Sequence, residues 1–399
     1  MNPLTELLNL SAAEKQRQGI VHTPHEIAQQ PETWTRTWAH LHSLLPQIQP
    51  FLTKAGVSDQ PDSPHTDRPT VFLIGAGTSD YIGRCLHHLL RQKWQCEVIP
   101  VPSTSLLIDF EDLLLADHRY LWISFSRSGD SPEGVAVLER ALSERPDIAH
   151  LVVTCNTAGA MLQRIEDKRN CLGIVLDPET NDQGLAMTGS FTNMVLAGQA
   201  LAHAWSPDEY EVILKAMVEA GQAFLPLAAE TAAQLADSSY SRACFVGSGA
   251  LGGTAPEAAL KLLELTAGKV KTMTQETLAL RHGPMAALDH DTLFVSFLST
   301  QSTRQKYELD LLREIEQKQL ARTTLAVSGC GLPSLPQFEN TRLIAPAQHW
   351  MIPDLYRPVV DILFGQLLGL FASLHCGLTP DSPSPNGAIT RVVQPIGIY

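Results

Sequence analysis

A short apolar run ending in a glycine turn occurs twice in this chain. Leu73-Ile74-Gly75-Ala76-Gly77 returns as Phe245-Val246-Gly247-Ser248-Gly249, an offset of 172 residues (position 75 against 247). A second pair keeps the same register: Ile123-Ser124-Phe125 matches Val295-Ser296-Phe297, each at the end of an apolar run. Self-similarity at a domain-sized offset favours two α/β halves of one plan over a single large sheet. The length of 399 residues agrees, since a chain of this size divides into domains of roughly 100–200 residues. Behind the first glycine turn, Tyr81–Trp94 has helical spacing of apolar residues. Further strand-like runs follow Val71–Ile74 at Glu97–Val101, Leu121–Phe125, Leu151–Cys155 and Gly173–Leu176, separated by helix-length segments. Such alternation builds a parallel sheet covered on both faces.

The flanking segments read as follows. An N-terminal helical stretch contains Thr23-Pro24-His25-Glu26, which reads as N-cap, first-turn proline and the glutamate of a capping box. Gly56–Pro64 is rich in turn formers and reads as an exposed connection. The halves divide near Trp205-Ser206-Pro207, with a helical connector from Asp208 to about Asp237. A last long helix over Pro358–Leu374 precedes the Pro/Ser-rich segment Thr379–Gly387 and a short terminal run.

Composition removes several classes of function. With 44% hydrophobic and 18% charged residues, the chain is a packed globular protein. Its net charge of −13 argues against a nucleic-acid or anionic-membrane surface, both of which need an electropositive footprint. An anionic ligand therefore has to be held by local donors. Met1–Asn9 lacks the basic start and apolar run of a signal peptide, so a cytoplasmic location is expected. The apolar segment Pro358–Leu378 is interrupted by Asp361, Gln366 and His375, which suits a buried helix better than a bilayer span. Seven cysteines without a C-x-x-C pair support neither a disulfide framework nor a zinc site, and point to reduced thiols.

In open parallel sheets, ligands bind beyond the carboxyl ends of the strands. The first half has two hydroxyl-rich turns there, Gly75-Ala76-Gly77-Thr78-Ser79 and Ser124-Phe125-Ser126-Arg127-Ser128-Gly129-Asp130-Ser131. Backbone N–H groups, a helix dipole and serine hydroxyls suit a phosphate dianion, and Arg127 would add a charge-assisted fork. Any one such serine is more often a helix cap, but two turns after neighbouring strands favour phosphate. Gly247-Ser248-Gly249-Ala250-Leu251-Gly252 satisfies G-x-G-x-x-G, a weak indication of a nucleotide taken alone. No ribose-binding acid follows clearly, for Lys269-Val270-Lys271 is basic, Glu276 falls late, and Asp80 replaces the third glycine in the first half. No cofactor is therefore expected.

The second half carries titrating groups instead. On a helix read over Thr254–Ala267, Glu257, Lys261 and Glu264 stand at i, i+4 and i+7 and share one face. A surface ladder of this kind is worth roughly 0.2–0.5 kcal/mol per pair. The rest of the helix is apolar, so the narrow charged face is expected to line a crevice. Arg281-His282-Gly283-Pro284 places a histidine on a rigid turn, and the local sequence leaves structural and catalytic readings of it open. No H-E-x-x-H spacing occurs, and no metal is expected.

Taken together, Gly77-Thr78-Ser79, Ser126-Arg127-Ser128-Gly129, Glu257-x-x-x-Lys261-x-x-Glu264 and His282-Gly283-Pro284 resemble the tandem sugar isomerase (SIS) domains of the isomerase half of glucosamine-6-phosphate synthase. Phe125–Glu133, Thr154-Cys155-Asn156, Ala186-Met187-Thr188, Leu263–Lys269 and Thr379-Pro380-Asp381-x-Pro383 are more similar to the AgaS family of amino-sugar phosphate deaminases/isomerases. The resemblance extends from about Glu26 to Val393.

It implies an α/β fold of two tandem SIS domains, each a parallel five-stranded sheet flanked by helices in three layers. The segments would be a helical extension (1–50), a first SIS domain (51–205), a connector (206–237), a second SIS domain (238–378) and a tail (379–399). Thr78, Ser79, Ser126, Arg127, Ser128 and Ser131 would hold a sugar 6-phosphate. Glu264 would be the base, with Glu257 and Lys261 beside it and His282 helping to open the ring. In the synthase the matching histidine comes from the partner subunit, which implies a homodimer or larger assembly with shared sites. Arg127 stands where the synthase has glutamine, and Asn386–Thr390 has no counterpart of its imine-forming lysine.

The expected activity is conversion of a 2-amino-2-deoxyhexose 6-phosphate, galactosamine 6-phosphate first, to tagatose 6-phosphate and ammonia. A ketose/aldose sugar-phosphate isomerase without nitrogen loss and a sugar-phosphate sensor without turnover are the alternatives.

Overall fold

The computed structural model describes residues 2–58, 68–238, 240–332, 338–394 and 397–398. Residues 59–64 of the turn-rich connection lie outside the described residues. Among the described residues the chain opens with α1 (Pro3–Leu8), α2 (Ala12–Gln18), α3 (Thr23–Ala28) and α4 (Gln30–Ala55). Alternation then begins with β1 (Thr70–Gly75), α5 (Thr78–Trp94), β2 (Val98–Pro102), α6 (Ser103–Ile108), α7 (Phe110–Leu113), β3 (Tyr120–Ser126), α8 (Pro132–Glu144), β4 (Ala149–Thr154), α9 (Ala160–Ile165), β5 (Cys171–Val175) and α10 (Gly189–Ala202). After α11 (Pro207–Ala236) it resumes with β6 (Arg242–Gly247), α12 (Leu251–Leu265), β7 (Lys271–Glu276), β8 (Thr292–Phe297), α13 (Ser302–Lys318), β9 (Thr323–Val327), β10 (Thr341–Ile344) and α14 (Pro358–His375).

These strands form two five-stranded sheets, ordered β2-β1-β3-β4-β5 and β7-β6-β8-β9-β10. Every pairing is parallel, and the two orders are the same. The register agrees as well: Leu73 pairs with Ile123 and Phe245 with Val295, both members displaced by the offset seen in the sequence. The central strands are buried along nearly their whole length, because helices cover both faces of such a sheet. The glycine closing β1 is sterically required. A Cβ on Gly75 would lie 2.3 Å from the carbonyl carbon of Ser79, and one on Gly247 2.3 Å from the carbonyl oxygen of Leu251. At both points the first turn of the following helix packs directly on the strand end.

Contacts divide the chain into two compact units. The first-sheet unit comprises Glu32–Asn181, Gly189–Val212 and Thr390–Tyr399; the second-sheet unit comprises Met1–Pro31, Asp182–Thr188 and Ile213–Ile389. The helical extension read as 1–50 is thus shared, its part up to Pro31 belonging with the second sheet. The reason lies at Asp381. Its carboxylate accepts from the backbone N–H groups of His22 (3.1 Å) and Thr23 (2.8 Å) and from the Thr23 hydroxyl (2.7 Å).

This corrects the capping-box reading of Thr23–Glu26. The N-cap of α3 is His22, with no cap from its own side chain, and Asp381 supplies the acceptor. Glu26 instead accepts from the backbone N–H groups of Gln183 and Gly184. Burial, reinforced by nearby Asp182, pushes its carboxyl up to about 8.

In the second-sheet unit α14 is buried from Pro358 to Ser373 and packs on α12, where Gly365 and Gly369 let the two helices approach. Two of the polar residues that interrupt its apolar run are satisfied internally, while His375 at its end is exposed. Asp361 is 2.7 Å from the Arg357 guanidinium and accepts from the Gly329 N–H, while Gln366 bonds Gln30 and the Thr188 carbonyl.

Candidate active site

In the first-sheet unit both hydroxyl-rich turns leave adjacent strands, β1 and β3, at the point where the strand order reverses. Thr78 and Ser79 form the buried first turn of α5. Beyond β3, the Ser126 hydroxyl oxygen accepts from the Gly129 N–H (3.0 Å) and that of Ser128 from the Asp130 N–H (3.1 Å). Ser131 is the N-cap of α8, accepting from the Gly134 N–H at 3.4 Å and donating to Glu133 at 3.2 Å. The bland reading of these serines as turn and cap acceptors is therefore realised. For Ser126 and Ser128 that role uses only the oxygen, and a hydroxyl can accept and donate at once.

The turn is braced by residues not singled out as functional in the sequence. Asn156 Nδ2 donates to the Ser128 carbonyl (2.7 Å), and the Thr154 hydroxyl donates to the Arg127 carbonyl (3.2 Å). Asp130 accepts from the Ala160 N–H at 2.8 Å. Thr154 and Asn156 come from the end of β4, the next strand of the sheet, and that adjacency identifies them as positioning residues. Arg127 is buried, and one arm of its guanidinium donates to the Arg391 carbonyl. Arg391 in turn donates to Asn181 Oδ1 at 2.7 Å, so the end of the chain is fastened beside the serine turn.

In the second-sheet unit α12 lies between its sheet and α14. It starts at Leu251, three residues before the start read from the sequence. Ala255, Ala258, Ala259, Leu262 and Leu265 fill the core, and the charged face is no surface ladder. Glu257 and Lys261 have no exposed surface, and Lys261 Nζ lies 3.4 Å from Glu257 Oε1 and 2.7 Å from Glu264 Oε2. Only the Glu264 side chain reaches solvent, at 23% exposure. A charge without water is tolerated only when paired, so the ladder presents one carboxylate outward and holds it by a buried ammonium.

His282 closes a 3₁₀ turn, Ala279–Arg281, and is exposed. Gly283 after it has φ +118°, a backbone state open to glycine alone.

A pair of like parallel sheets, one with serine turns at its switch point and the other with a buried Glu–Lys–Glu ladder, defines a tandem SIS-domain phosphosugar enzyme. The tagatose-6-phosphate ketose/aldose isomerase of Escherichia coli, a solved structure, matches with a TM-score of 0.80 at 31% identity, over 90% of this chain and 94% of that one. The chain is 33% identical over 389 residues to the D-galactosamine-6-phosphate deaminase AgaS of Escherichia coli O157:H7, covering 94% of this chain and 95% of the relative. It is 32% identical over 398 residues to the protein of the same name from Shewanella sp. (strain ANA-3), covering 98% and 95%. No family model matches. On these similarities the chain belongs to the AgaS family.

Proposed function

We propose that the protein is a deaminating isomerase of 2-amino-2-deoxyhexose 6-phosphates, with galactosamine 6-phosphate as its substrate and tagatose 6-phosphate and ammonia as its products. The observation that carries this reading is the Glu264 carboxylate, partly open to solvent and held at 2.7 Å by buried Lys261. The name shared by the AgaS relatives supports the substrate.

In this reading Thr78, Ser79, Ser126, Ser128 and Ser131 hold the 6-phosphate, and Arg127 adds positive charge while anchoring the chain end. The first SIS domain (51–205) is the phosphate-binding half and the second (238–378) the catalytic half. His282 assists ring opening, which exposes the C1 aldehyde. Glu264 then takes the C2 proton as a proton reaches the aldehyde oxygen, leaving a C1–C2 enolamine. Return of a proton to C1 gives a C2 imine, and water adds to it and expels ammonia, leaving the C2 ketone. Lys261 and Glu257 position the base.

His282 is exposed, as a residue delivered to a neighbouring subunit's site has to be, and the working form is a homodimer or larger assembly. None of the seven cysteines, all among the described residues, is in a disulfide, which fits a reducing cytoplasm.

The test is ammonia release over a panel of hexosamine 6-phosphates. Release from the galacto substrate is expected. Turnover of tagatose 6-phosphate to an aldose, with no ammonia from any amine, would establish the second reading of a ketose/aldose isomerase, which the structural match favours.

A further inference from the structure

Strand β8 holds the place in the second sheet that β3 holds in the first, in the same register. The turn after β8, Leu298–Gln301, is therefore the counterpart of the serine turn after β3. It too presents hydroxyls, those of Ser299 and Thr300. Here, however, the donors already hold an anion. One oxygen of Asp354 accepts from the Thr300 N–H (3.0 Å), the Thr300 hydroxyl (3.0 Å) and the Arg357 guanidinium (3.0 Å). Its other oxygen accepts from the Ser299 hydroxyl and lies 3.7 Å from Arg304 Nη1.

A backbone N–H, two hydroxyls and two guanidinium groups converging on one group make an oxyanion cradle. Asp354 is buried and Arg357 has no exposed surface. Arg357 is fixed further by the Leu298 carbonyl (2.8 Å), the Ser328 hydroxyl (3.0 Å) and Asp361 (2.7 Å). Glu308 takes the Ser299 N–H at 2.7 Å. In the first-sheet unit no carboxylate accepts from the Ser126 or Ser128 hydroxyl among the described residues.

We infer that the second sheet retains the oxyanion cradle of the first and that the Asp354 carboxylate is its permanent occupant, so that each chain offers a sugar phosphate one phosphate site rather than two. The comparison of the two turns rests on reading the first as the phosphate cradle.

The test counts inorganic phosphate bound per chain by equilibrium dialysis in wild type, Asp354→Gly, Asp354→Asn, and each of these combined with Ser126→Ala/Ser128→Ala. Wild type is expected to bind one phosphate, Asp354→Gly two, and Asp354→Asn one, since the amide fills the space. The serine variant is expected to bind none and its Asp354→Gly combination one. If Asp354→Gly binds no more than wild type, or Asp354→Asn gains the same extra phosphate, the inference is overturned. Wild type binding none while Asp354→Gly binds one would instead sink the reading of the first turn and leave this one standing. Should Asp354→Gly not fold in chloride, refolding in acetate, which replaces the deleted carboxymethyl group, is expected to raise its folded yield several-fold with no effect on wild type. An unchanged yield overturns the inference.

Discussion

Lys261 shows how much a single buried charge decides. It touches no solvent and stands between two carboxylates. Lys261→Met is expected to destabilise the fold by about 3–5 kcal/mol, because Glu257 is then buried without a counter-charge. A parallel fall in the denaturation midpoint checks this, and Glu257→Gln in the same chain should restore part of the loss. Glu264→Gln acts differently. It keeps the shape and removes the base, so kcat should fall by about 10²–10⁴ with KM little changed, the usual worth of general acid–base help. Steady-state kinetics separate the two, and wild-type turnover in Glu264→Gln would refute its assignment as base. Ser126→Ala with Ser128→Ala should act mainly on KM, which is expected to rise by about 10²- to 10⁴-fold from the loss of two hydrogen bonds to a charged group worth roughly 1.5–3 kcal/mol each. The spacing of Glu257, Lys261 and Glu264 on one face was legible in the sequence. Their burial was not, because periodicity tells which face a residue occupies and not what covers it.

At the scale of elements, α3 and α12 mark the limits of local reading. The sequence expectation for α3 was a capping box, which is a contact within four residues. The structure caps it with Asp381, more than three hundred residues later, and frees Glu26 for a different task. Glu26 has a folded-state pKa of about 8, raised by burial. A carboxyl raised in this way stays protonated in the native state while the unfolded chain ionises. The folded protein then binds more protons, and stability falls as pH rises from the unfolded pKa toward 8. Denaturation midpoints measured from pH 5 to 8 should therefore decline, and Glu26→Gln should flatten the decline. An identical slope in both proteins would locate the effect elsewhere. For α12 the three-residue error at its start has a plain cause. Gly252 and Gly253 are poor helix formers, yet Gly247 brings the first turn onto the strand end and tertiary contact outweighs propensity there.

At the scale of the molecule, the proposed delivery of His282 to another subunit has a direct consequence. Glu264→Gln and His282→Ala chains should each be inactive alone. Mixed and reassorted, they should regain about a quarter of wild-type activity, since half of the dimers are then mixed and each carries one intact site. No recovery on mixing would place His282 and Glu264 of one chain in the same site. The amino-acid sequence by itself determined the α/β alternation, the two copies of one plan and their offset, because strand and helix periods and glycine turns are local properties. It also determined which turns carry hydroxyls and glycines at strand ends, since these can be read off the order of residues. Only the tertiary structure decided that residues before Glu32 belong with the second sheet, that Lys261 is buried, and that Asp354 accepts from the turn after β8. Each of these depends on partners tens to hundreds of residues apart, whose pairing is chosen when the chain closes and the carboxylates and cations must find one another out of water.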